Sequence, residues 1–210
     1  MHPNSPSGIG INTNARMSSR EKILSMVQKN QPAGSPLPEI HFAPQSTGNP
    51  VEQFIQTVTA IGGEVIRSTS LEQVSQKIRE RFPDSSRIIN AVPDSGSGFE
   101  FFQVTPDPHD FRNVTLSILR GEFGVAENGG IWLTDEQMGN PVLPYISEHL
   151  VLILHQNDIV SDLHEAYGRI GQRDYRLGTF IAGPSKTADI EQSLVLGAHG
   201  PKSLIVFLLD

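Results

Sequence analysis

A polar turn between two apolar stretches has the residue types of an anion-binding site. Ser185, Lys186 and Thr187 follow Gly183-Pro184, directly after the apolar residues 179–182. The turn offers successive backbone N–H groups, and Lys186 adds a full positive charge. If a helix begins here, its N-terminus adds a partial positive charge as well. The chemistry that such a turn supports is the binding of a small anion or a phosphate group.

The same turn also fits a purely structural role. Ser and Thr are common N-cap residues, and acidic residues such as Asp189 and Glu191 in a first turn stabilise a helix through its dipole. A Gly-Pro pair commonly marks a turn or loop between secondary-structure elements. On residue types alone, an anion site and a simple helix cap remain equally open.

A strand, a helix and a second strand would position this turn. Residues 179–182 predict a strand, Ile190, Leu194 and Val195 can share one face of a helix, and the apolar residues 203–209 predict a buried strand. This order is that of a βαβ unit in a parallel sheet that is buried on both faces. Ligands bind beyond the carboxyl ends of the strands in such sheets, so we expect the turn at that edge.

A phosphate-binding loop of the nucleotide-hydrolase type is excluded by its spacing. Gly178 and Gly183 are separated as in that loop, but Lys186-Thr187 comes two residues too late. The residues between the two glycines are apolar and favour a strand. We therefore expect no nucleotide-hydrolase chemistry here.

Two longer stretches resemble the signature of a known family. They read Gly183-Pro-Ser-Lys-Thr-Ala-Asp-Ile-Glu191 and Gly197-Ala-His-Gly-Pro201, and with residues 126–129 and 143–144 the resemblance covers roughly residues 50–210. The sequence resembles the lactate-utilisation (LUD) domain family, in its protein C-like branch. This resemblance implies a fold related to that of ribose-phosphate isomerases and coenzyme A transferases. It also implies a role beside iron–sulfur partner proteins that oxidise lactate to pyruvate.

Glu127 is the candidate catalytic residue, and its motif has two interpretations. Asn128-Gly129 suits a two-residue hairpin turn with positive φ, which would leave Glu127 exposed. Residues 126–129 are also similar to a segment of class I coenzyme A transferases, in which the Glu forms a thioester with coenzyme A. That similarity implies a nucleophilic or basic Glu127, with Asn128 in contact with the ligand. A Glu127 shielded from water beside the Ser185 turn would favour catalysis, whereas an exposed Glu127 at a hairpin tip would count against it.

The composition limits cofactors, partners and compartment. The chain of 210 residues is long enough for one α/β domain with extensions. It contains no Cys, which excludes a Cys-ligated cluster in this chain. No cofactor is expected in this chain, and the family resemblance implies iron–sulfur clusters only in partner proteins. The formal net charge of −7 argues against a nucleic-acid surface. No stretch predicts a membrane span or a signal peptide, so the sequence predicts a cytoplasmic protein.

The seven His residues do not predict a metal site, because no two of them have a chelating spacing on one helix. His199 differs from the others because it lies in a turn framed by Gly197 and Gly200, which makes it a candidate ligand contact. A crossover helix of about ten residues, roughly 15 Å long, would place His199 at the opposite edge of the sheet from Ser185. We therefore rank His199 below Ser185 and its two neighbours.

The chain divides into three parts. Residues 1–16 are rich in Asn, Ser, Gly and Pro, and we expect a disordered leader. Residues 17–48 predict a short helix, with Ser18 and Glu21 as a capping box, followed by a Pro-rich linker. Because so short a helix is marginal alone, it must dock on its own domain or on a partner. Residues 49–210 predict a single LUD-like domain.

Together these observations predict an α/β fold with a mostly parallel open sheet flanked by helices, similar to the ribose-phosphate isomerase and coenzyme A transferase-like fold. The first functional hypothesis is an accessory or ligand-binding subunit of a lactate-oxidation system that works with iron–sulfur partner proteins. Its small anionic ligand would be held by Asn128, Gly183, Ser185, Lys186, Thr187, Asp189 and His199. One alternative is a free-standing enzyme that acts on an acyl-coenzyme A or a phosphosugar with Glu127 as nucleophile or base. Another is a structural or regulatory protein with a vestigial pocket.

Overall fold

The computed structural model describes residues 17–36, 48–85, 87–93, 99–103, 105, 107–188 and 194–210. The chain forms two compact units, Met1–Ala43 and Pro44–Asp210. The expected leader, residues 1–16, and most of the expected linker lie outside the described residues. Asp189 lies outside them as well. No helix in the described ranges combines the length and apolar character that crossing a bilayer requires.

The first unit contains one described helix, α1 (Ser19–Lys29). The capping box expected from the sequence is confirmed: the Glu21 amide donates to Ser18 Oγ at 3.2 Å, and the Ser18 amide donates to Glu21 Oε2 at 2.7 Å. Hydrogen bonds that the Glu21 carboxylate accepts from Ser18, first from its backbone amide and then from its side chain, lower the pKa of Glu21. None of the side chains of α1 is buried, so tertiary packing within the described residues contributes little to its stability.

The second unit has an α/β architecture. Its helices are α2 (Pro50–Ala60), α3 (Leu71–Arg81), α4 (Asp135–Met138), α5 (Leu143–Ile146) and α6 (Leu163–Ile170), and 3-10 turns occupy Pro108–Phe111 and Gln156–Asp158. Its strands are β1 (Glu64–Ser68), β2 (Ile88–Asn90), β3 (Glu100–Phe101), β4 (Leu116–Arg120), β5 (Phe123–Val125), β6 (Ile131–Thr134), β7 (His149–His155), β8 (Ile159–Val160), β9 (Gly178–Ile181), β10 (Lys186–Ala188), β11 (Leu194–Leu196) and β12 (Ser203–Leu209).

The larger sheet has six strands in the order β1-β12-β7-β4-β2-β3, and all of its pairs are parallel. Its central strands are apolar on both faces because helices cover both sides. In β12, Val206 packs in the core that contains Phe54 of α2, whereas Phe207 packs in the core that contains Val74 of α3. Burying each such side chain contributes about 1.5–3 kcal/mol. The predicted fold class, α/β with a mostly parallel sheet flanked by helices, is confirmed.

A second sheet of four strands, in the order β8-β5-β6-β9, carries the turn that contains Glu127. β5 and β6 are antiparallel, with Phe123 opposite Trp132, and β9 is antiparallel to β6. Trp132 packs against Phe180 at 4.8 Å and Tyr175 at 5.6 Å between ring centroids. Helix α6 covers this aromatic cluster with Ala166 and Ile170.

The prediction of a helix over residues 187–196 is wrong, because the described residues at both ends of this range are strands. β10 and β11 form an antiparallel pair, with Lys186 opposite Leu196. At one end of this pair, the Gly197 amide donates a hydrogen bond to the Ser185 carbonyl at 3.0 Å. The strand at residues 179–182 exists as β9, but it pairs with β6 rather than lying in the parallel sheet. The expected βαβ unit is therefore absent from the described part of this region.

Helix α6 is capped by Asp162, whose Oδ1 accepts from the Glu165 amide at 2.9 Å. Asp158 ends a 3-10 turn and pairs with Arg169 at 2.7 Å. Ile159 and Val160, which follow Asp158, form β8 because their backbone pairs with β5.

Candidate functional site

The Ser185 turn lies at the amino-terminal edge of the parallel sheet, not at the expected carboxyl edge. The Ser185 amide donates to the carbonyl of Pro201, which precedes β12, at 2.9 Å. Lys186 Nζ donates to the carbonyl of Ile61, which precedes β1. Both contacts are therefore made where parallel strands begin. The expectation failed because β9, which leads into the turn, belongs to the other sheet.

The structure brings His199 and Ser185 to the same edge. Gly200 lies so close to the turn that a Cβ added there would be 3.0 Å from Ser185 Cβ. The expected separation of His199 from Ser185 across the sheet is wrong, because a hairpin rather than a crossover helix connects them. Two strands that run in opposite directions return the chain to its starting edge.

A cleft of about 270 Å³ opens beside His199, and we call it the amino-edge cleft. It is lined by Tyr145, Ile146, Ser147, Glu148, Gly197, Ala198, His199, Gly200 and Lys202. Lys202 Nζ pairs with Glu148 Oε2 at 2.7 Å, and this hydrogen bond lowers the pKa of Glu148. His149, next to this pair, contacts Ser203 Oγ through Nδ1 at 2.7 Å, and burial lowers its pKa.

Glu127 lies in the turn between β5 and β6, and its side chain is exposed. Its Oε2 accepts from the Leu163 amide at 3.0 Å, so the carboxylate satisfies a free N–H group at the start of α6. Asn128 Oδ1 accepts from the Gly130 amide at 2.8 Å and stabilises the turn, in which Gly129 has φ of 70°. This setting gives Glu127 the role of a helix cap and does not provide the shielding from water that an acid or base would need.

An apolar side chain separates the two predicted halves of the anion site. A Cβ added at Gly129 would lie 3.1 Å from Ile61 Cδ1, and one added at Gly183 would lie 3.2 Å from Ile61 Cγ1. Ile61 therefore packs between the Glu127 turn and the Ser185 turn. The contacts of Glu127 lead to α6 and those of Lys186 lead to α2, so the structure does not bring these two residues together.

A second concave region lies where β4 and β7 end, at the carboxyl edge of the parallel sheet. The carboxyl-edge pocket has a volume of about 190 Å³ and is lined by Arg120, Gly121, Glu122, Gln137, Ile153, Leu154, His155 and Asp158. A larger open cavity of about 580 Å³ adjoins it and shares Glu122 and Gln137. The larger cavity also contains Thr134, Asp135, Glu136, Arg173, Asp174, Tyr175 and Arg176.

Ion pairs neutralise three carboxylates of this region. Glu122 pairs with Arg173 at 2.5 Å, and Asp158 pairs with Arg169 at 2.7 Å. Asp135 accepts from Arg176 Nε at 3.0 Å, and this hydrogen bond holds the pKa of Asp135 below its ordinary value. The remaining carboxylates, Glu136 and Asp174, line only the larger cavity.

Sequence reasoning did not single out Arg120, Gln137 or His155. Arg120 and His155 each follow an apolar run, which is a signal for the end of a buried strand. Which strands are neighbours cannot be deduced from that signal, because β4 and β7 are separated in sequence by the whole of the β5–β6 hairpin. The sequence around Gln137 predicted only a loop and did not indicate a functional role for this residue.

The LUD domain family model matches residues 108–209, which contain every strand from β4 to β12. Lactate utilization protein C of Bacillus pumilus is 28% identical over 105 residues, which are 47% of this chain and 44% of that protein. Residues 108–209 of this chain therefore carry a LUD domain. The resemblance to its protein C-like branch, noted in the sequence, is confirmed.

Other relatives of this LUD-domain protein extend the comparison. Lactate utilization protein C 1 of Bacillus mycoides is 28% identical over 168 residues, covering 76% of this chain and 70% of that protein. The uncharacterized protein YkgG of Escherichia coli is 30% identical over 105 residues, covering 47% of this chain and 46% of that protein. The aligned part thus spans less than half the length of the B. pumilus and E. coli relatives.

The fold has a counterpart among solved structures. A crystal structure of a DUF162 family protein from Deinococcus radiodurans superposes with a TM-score of 0.60 at 17% sequence identity. The superposition covers 80% of this chain and all of that chain. At this level of identity the likeness establishes the shared fold.

Proposed function

We propose that this LUD-domain protein is a ligand-binding component of a lactate-utilisation system. The observation that carries this proposal is the alignment with lactate utilization protein C 1 of B. mycoides, which covers 76% of this chain. At 168 residues, this alignment is longer than the segment 108–209 that the family model matches.

The oxidation itself is assigned to partner proteins. Oxidation of lactate to pyruvate removes two electrons, which an acceptor must take up, and iron–sulfur clusters are the acceptors that the family resemblance implies. Such clusters are typically held by Cys thiolates, and this chain contains no Cys. Its residues therefore do not fit a Cys-ligated cluster, and no redox step is assigned to them.

The ligand of this component is a small anion at the Ser185 turn and the amino-edge cleft. Lys186 supplies a positive charge there, and His199 lines the cleft with its side chain exposed. Gly183 has φ of 74° and lies against Ile61, so a side chain at this position would be strained and crowded. The turn therefore depends on a glycine at the point where the chain enters it.

Deletion of the gene in its own host tests the role in lactate utilisation. The deletion should slow the consumption of lactate and leave the consumption of pyruvate unchanged, and the wild-type gene should restore the rate. Equal lactate consumption with and without the gene would refute the proposal. Purification of the tagged chain from lactate-grown cells should recover iron-containing partner proteins.

Thermal unfolding of the purified chain tests the anion site. Lactate, pyruvate, phosphate esters and coenzyme A can each be added in turn, and a true ligand at a hundredfold excess over its dissociation constant stabilises by about 2.7 kcal/mol. Stabilisation by a ligand that binds at the Ser185 turn should be lost in Lys186→Gln. It should persist in Lys77→Gln, because Lys77 contacts Arg67 and Ser68 near the opposite end of β1.

A further inference from the structure

The carboxyl-edge pocket contains a positive charge that its own walls do not neutralise. Arg120 is the last residue of β4, and its register partner in β7 is Ile153, two residues before His155. Side chains alternate between the faces of a strand, so Arg120, Ile153 and His155 lie on the same face of the sheet. Both polar residues line the same cavity of about 190 Å³.

The acidic residues of the pocket already form ion pairs with arginines. Glu122 is held by Arg173 and Asp158 by Arg169, each within ion-pair distance. Within the part of the chain that the structure describes, Arg120 has no hydrogen-bond or ion-pair partner. The uncompensated charge of the pocket is therefore positive, although the net charge of the whole chain is −7.

Gln137 adds two hydrogen-bond donors to the pocket. Its Oε1 accepts from the Thr134 backbone amide at 2.9 Å and from Thr134 Oγ1 at 2.5 Å. The backbone N–H can only donate, so these contacts identify the oxygen and leave Nε2 on the other side of the amide group. Nε2 has no hydrogen-bond acceptor among the described residues.

We propose that the carboxyl-edge pocket binds a small monocarboxylate. The planar Arg120 guanidinium matches a carboxylate through two parallel N–H···O bonds, and Gln137 Nε2 donates a further bond. His155 can bond to a substituent on the neighbouring carbon. This site lies at the opposite edge of the sheet from the amino-edge cleft, so it does not depend on the function proposed above.

Charge and volume select the class of ligand. One uncompensated positive charge neutralises a monoanion, whereas a phosphate dianion would carry a second negative charge into the pocket without a partner. At about 30 Å³ per water, the pocket has the volume of roughly six water molecules, which suits an acid of three or four carbons. A longer anion would extend into the larger cavity, where Glu136 and Asp174 would repel it.

An NMR titration of the full-length ¹⁵N-labelled chain tests this proposal. Acetate, L-lactate and pyruvate should each cause saturable shifts at Arg120, Gln137 and His155, with dissociation constants on the order of 1 mM. Methylammonium should cause no such shifts, and inorganic phosphate should bind more weakly than the monocarboxylates. Fluorescence provides a second readout, because Trp132 is the only tryptophan and contacts Tyr175 of the adjoining cavity.

Two variants identify the residues responsible. Arg120→Gln should weaken monocarboxylate binding at least about tenfold, because it removes the charge from an exposed position. Gln137→Glu should weaken binding to a similar extent, because it keeps an oxygen for Thr134 and replaces the amide donors with negative charge. Arg112→Gln, which removes an exposed arginine from the amino side of β4, should bind as the wild type does.

Three results would overturn the assignment. They are the absence of shifts at these residues, unchanged affinity in Arg120→Gln with an unchanged melting temperature, and tighter binding of phosphate than of monocarboxylates. Because neither variant alters the amino-edge cleft, loss of monocarboxylate binding here would leave the lactate phenotype of the gene deletion as a separate result.

Discussion

The two edges of the parallel sheet differ in how their charges are used. At the amino edge, Lys202 pairs with Glu148 in the amino-edge cleft, and Lys186 of the Ser185 turn donates to the Ile61 carbonyl, so both lysines also make contacts within the fold. At the carboxyl edge, ion pairs neutralise Glu122 and Asp158, whereas Arg120 faces the pocket without a described partner. Ser185 and His199, which belong to the two stretches that resemble the family signature, lie at the amino edge. The Arg120 side chain, which has no described partner, lies at the carboxyl edge. The residues that carry the family resemblance and the unpaired arginine are thus at opposite edges of the sheet.

The largest effect is expected from Gly121→Ala at the carboxyl edge. A Cβ at this position would overlap the buried Ile131 side chain, and overpacking of this kind costs about 1–3 kcal/mol. Chemical denaturation would measure the change. Gly168→Ala is the matched control, because nothing lies within 4 Å of its added Cβ and a helical Ala is more stable than Gly by up to about 1 kcal/mol. Equal stability of the two variants would show that the carboxyl edge is more loosely packed than described.

Arg173→Gln should weaken the binding of anions at the carboxyl-edge pocket. The substitution releases the Glu122 carboxylate, which is 20% exposed and lines the pocket. A neighbouring unpaired negative charge should weaken monocarboxylate binding by about tenfold, or 1.4 kcal/mol. Arg67→Gln breaks an ion pair with Glu52 elsewhere and should leave the affinity unchanged. Unaltered binding in Arg173→Gln would contradict the claim that paired acids permit anion binding at this edge.

Acid should destabilise the amino edge through His149. Burial lowers the pKa of His149 in the folded state, so the unfolded chain binds the proton more readily. The stability that the neutral side chain contributes is present above the ordinary His pKa and is lost as the pH falls below it. The melting temperature should therefore decrease between neutral and mildly acidic pH, and less so in His149→Gln, which can keep a contact to Ser203. Parallel decreases in both proteins would assign the effect to other groups.

The smallest effect is expected from Glu127→Gln. An amide oxygen can still accept from the Leu163 amide, so only the interaction of the charge with the start of α6 is lost, about 0.3–1 kcal/mol. Lactate consumption by cells that carry this variant should remain close to that of the wild type. A complete loss of consumption with normal stability would instead establish a catalytic carboxylate at the hairpin tip.

Local signals in the sequence predicted much of the fold. The capping box of Ser18 and Glu21 was predicted because capping depends on a few consecutive residues, and Asn49 and Ser70 cap α2 and α3 in the same local way. The apolar run at residues 203–209 predicted a buried strand, since a parallel sheet covered on both faces requires such runs, and the similar run at 150–154 forms the neighbouring strand.

Features that depend on distant partners could not be predicted in this way. The helical spacing of Ile190, Leu194 and Val195 suggested a crossover helix. Instead, β10 pairs with β11, the Ser185 amide donates to the Pro201 carbonyl, and the Gly197 amide donates to the Ser185 carbonyl. The carboxyl-edge pocket was missed for the same reason. Its polar residues come from a strand end, a short helix and a second strand end, and only the register of the sheet brings them together.

The position of β12 has a consequence for how the chain folds. β12 lies between β1 and β7, although β1 precedes it by more than half the chain, as the pairing of Glu64 with Ile205 shows. Until β12 arrives, β1 has no partner in the sheet and one side of β7 is open. Such distant pairing slows folding, and unpaired strand sides are sites of intermolecular association. Refolding at high protein concentration should therefore yield aggregates that dilution prevents.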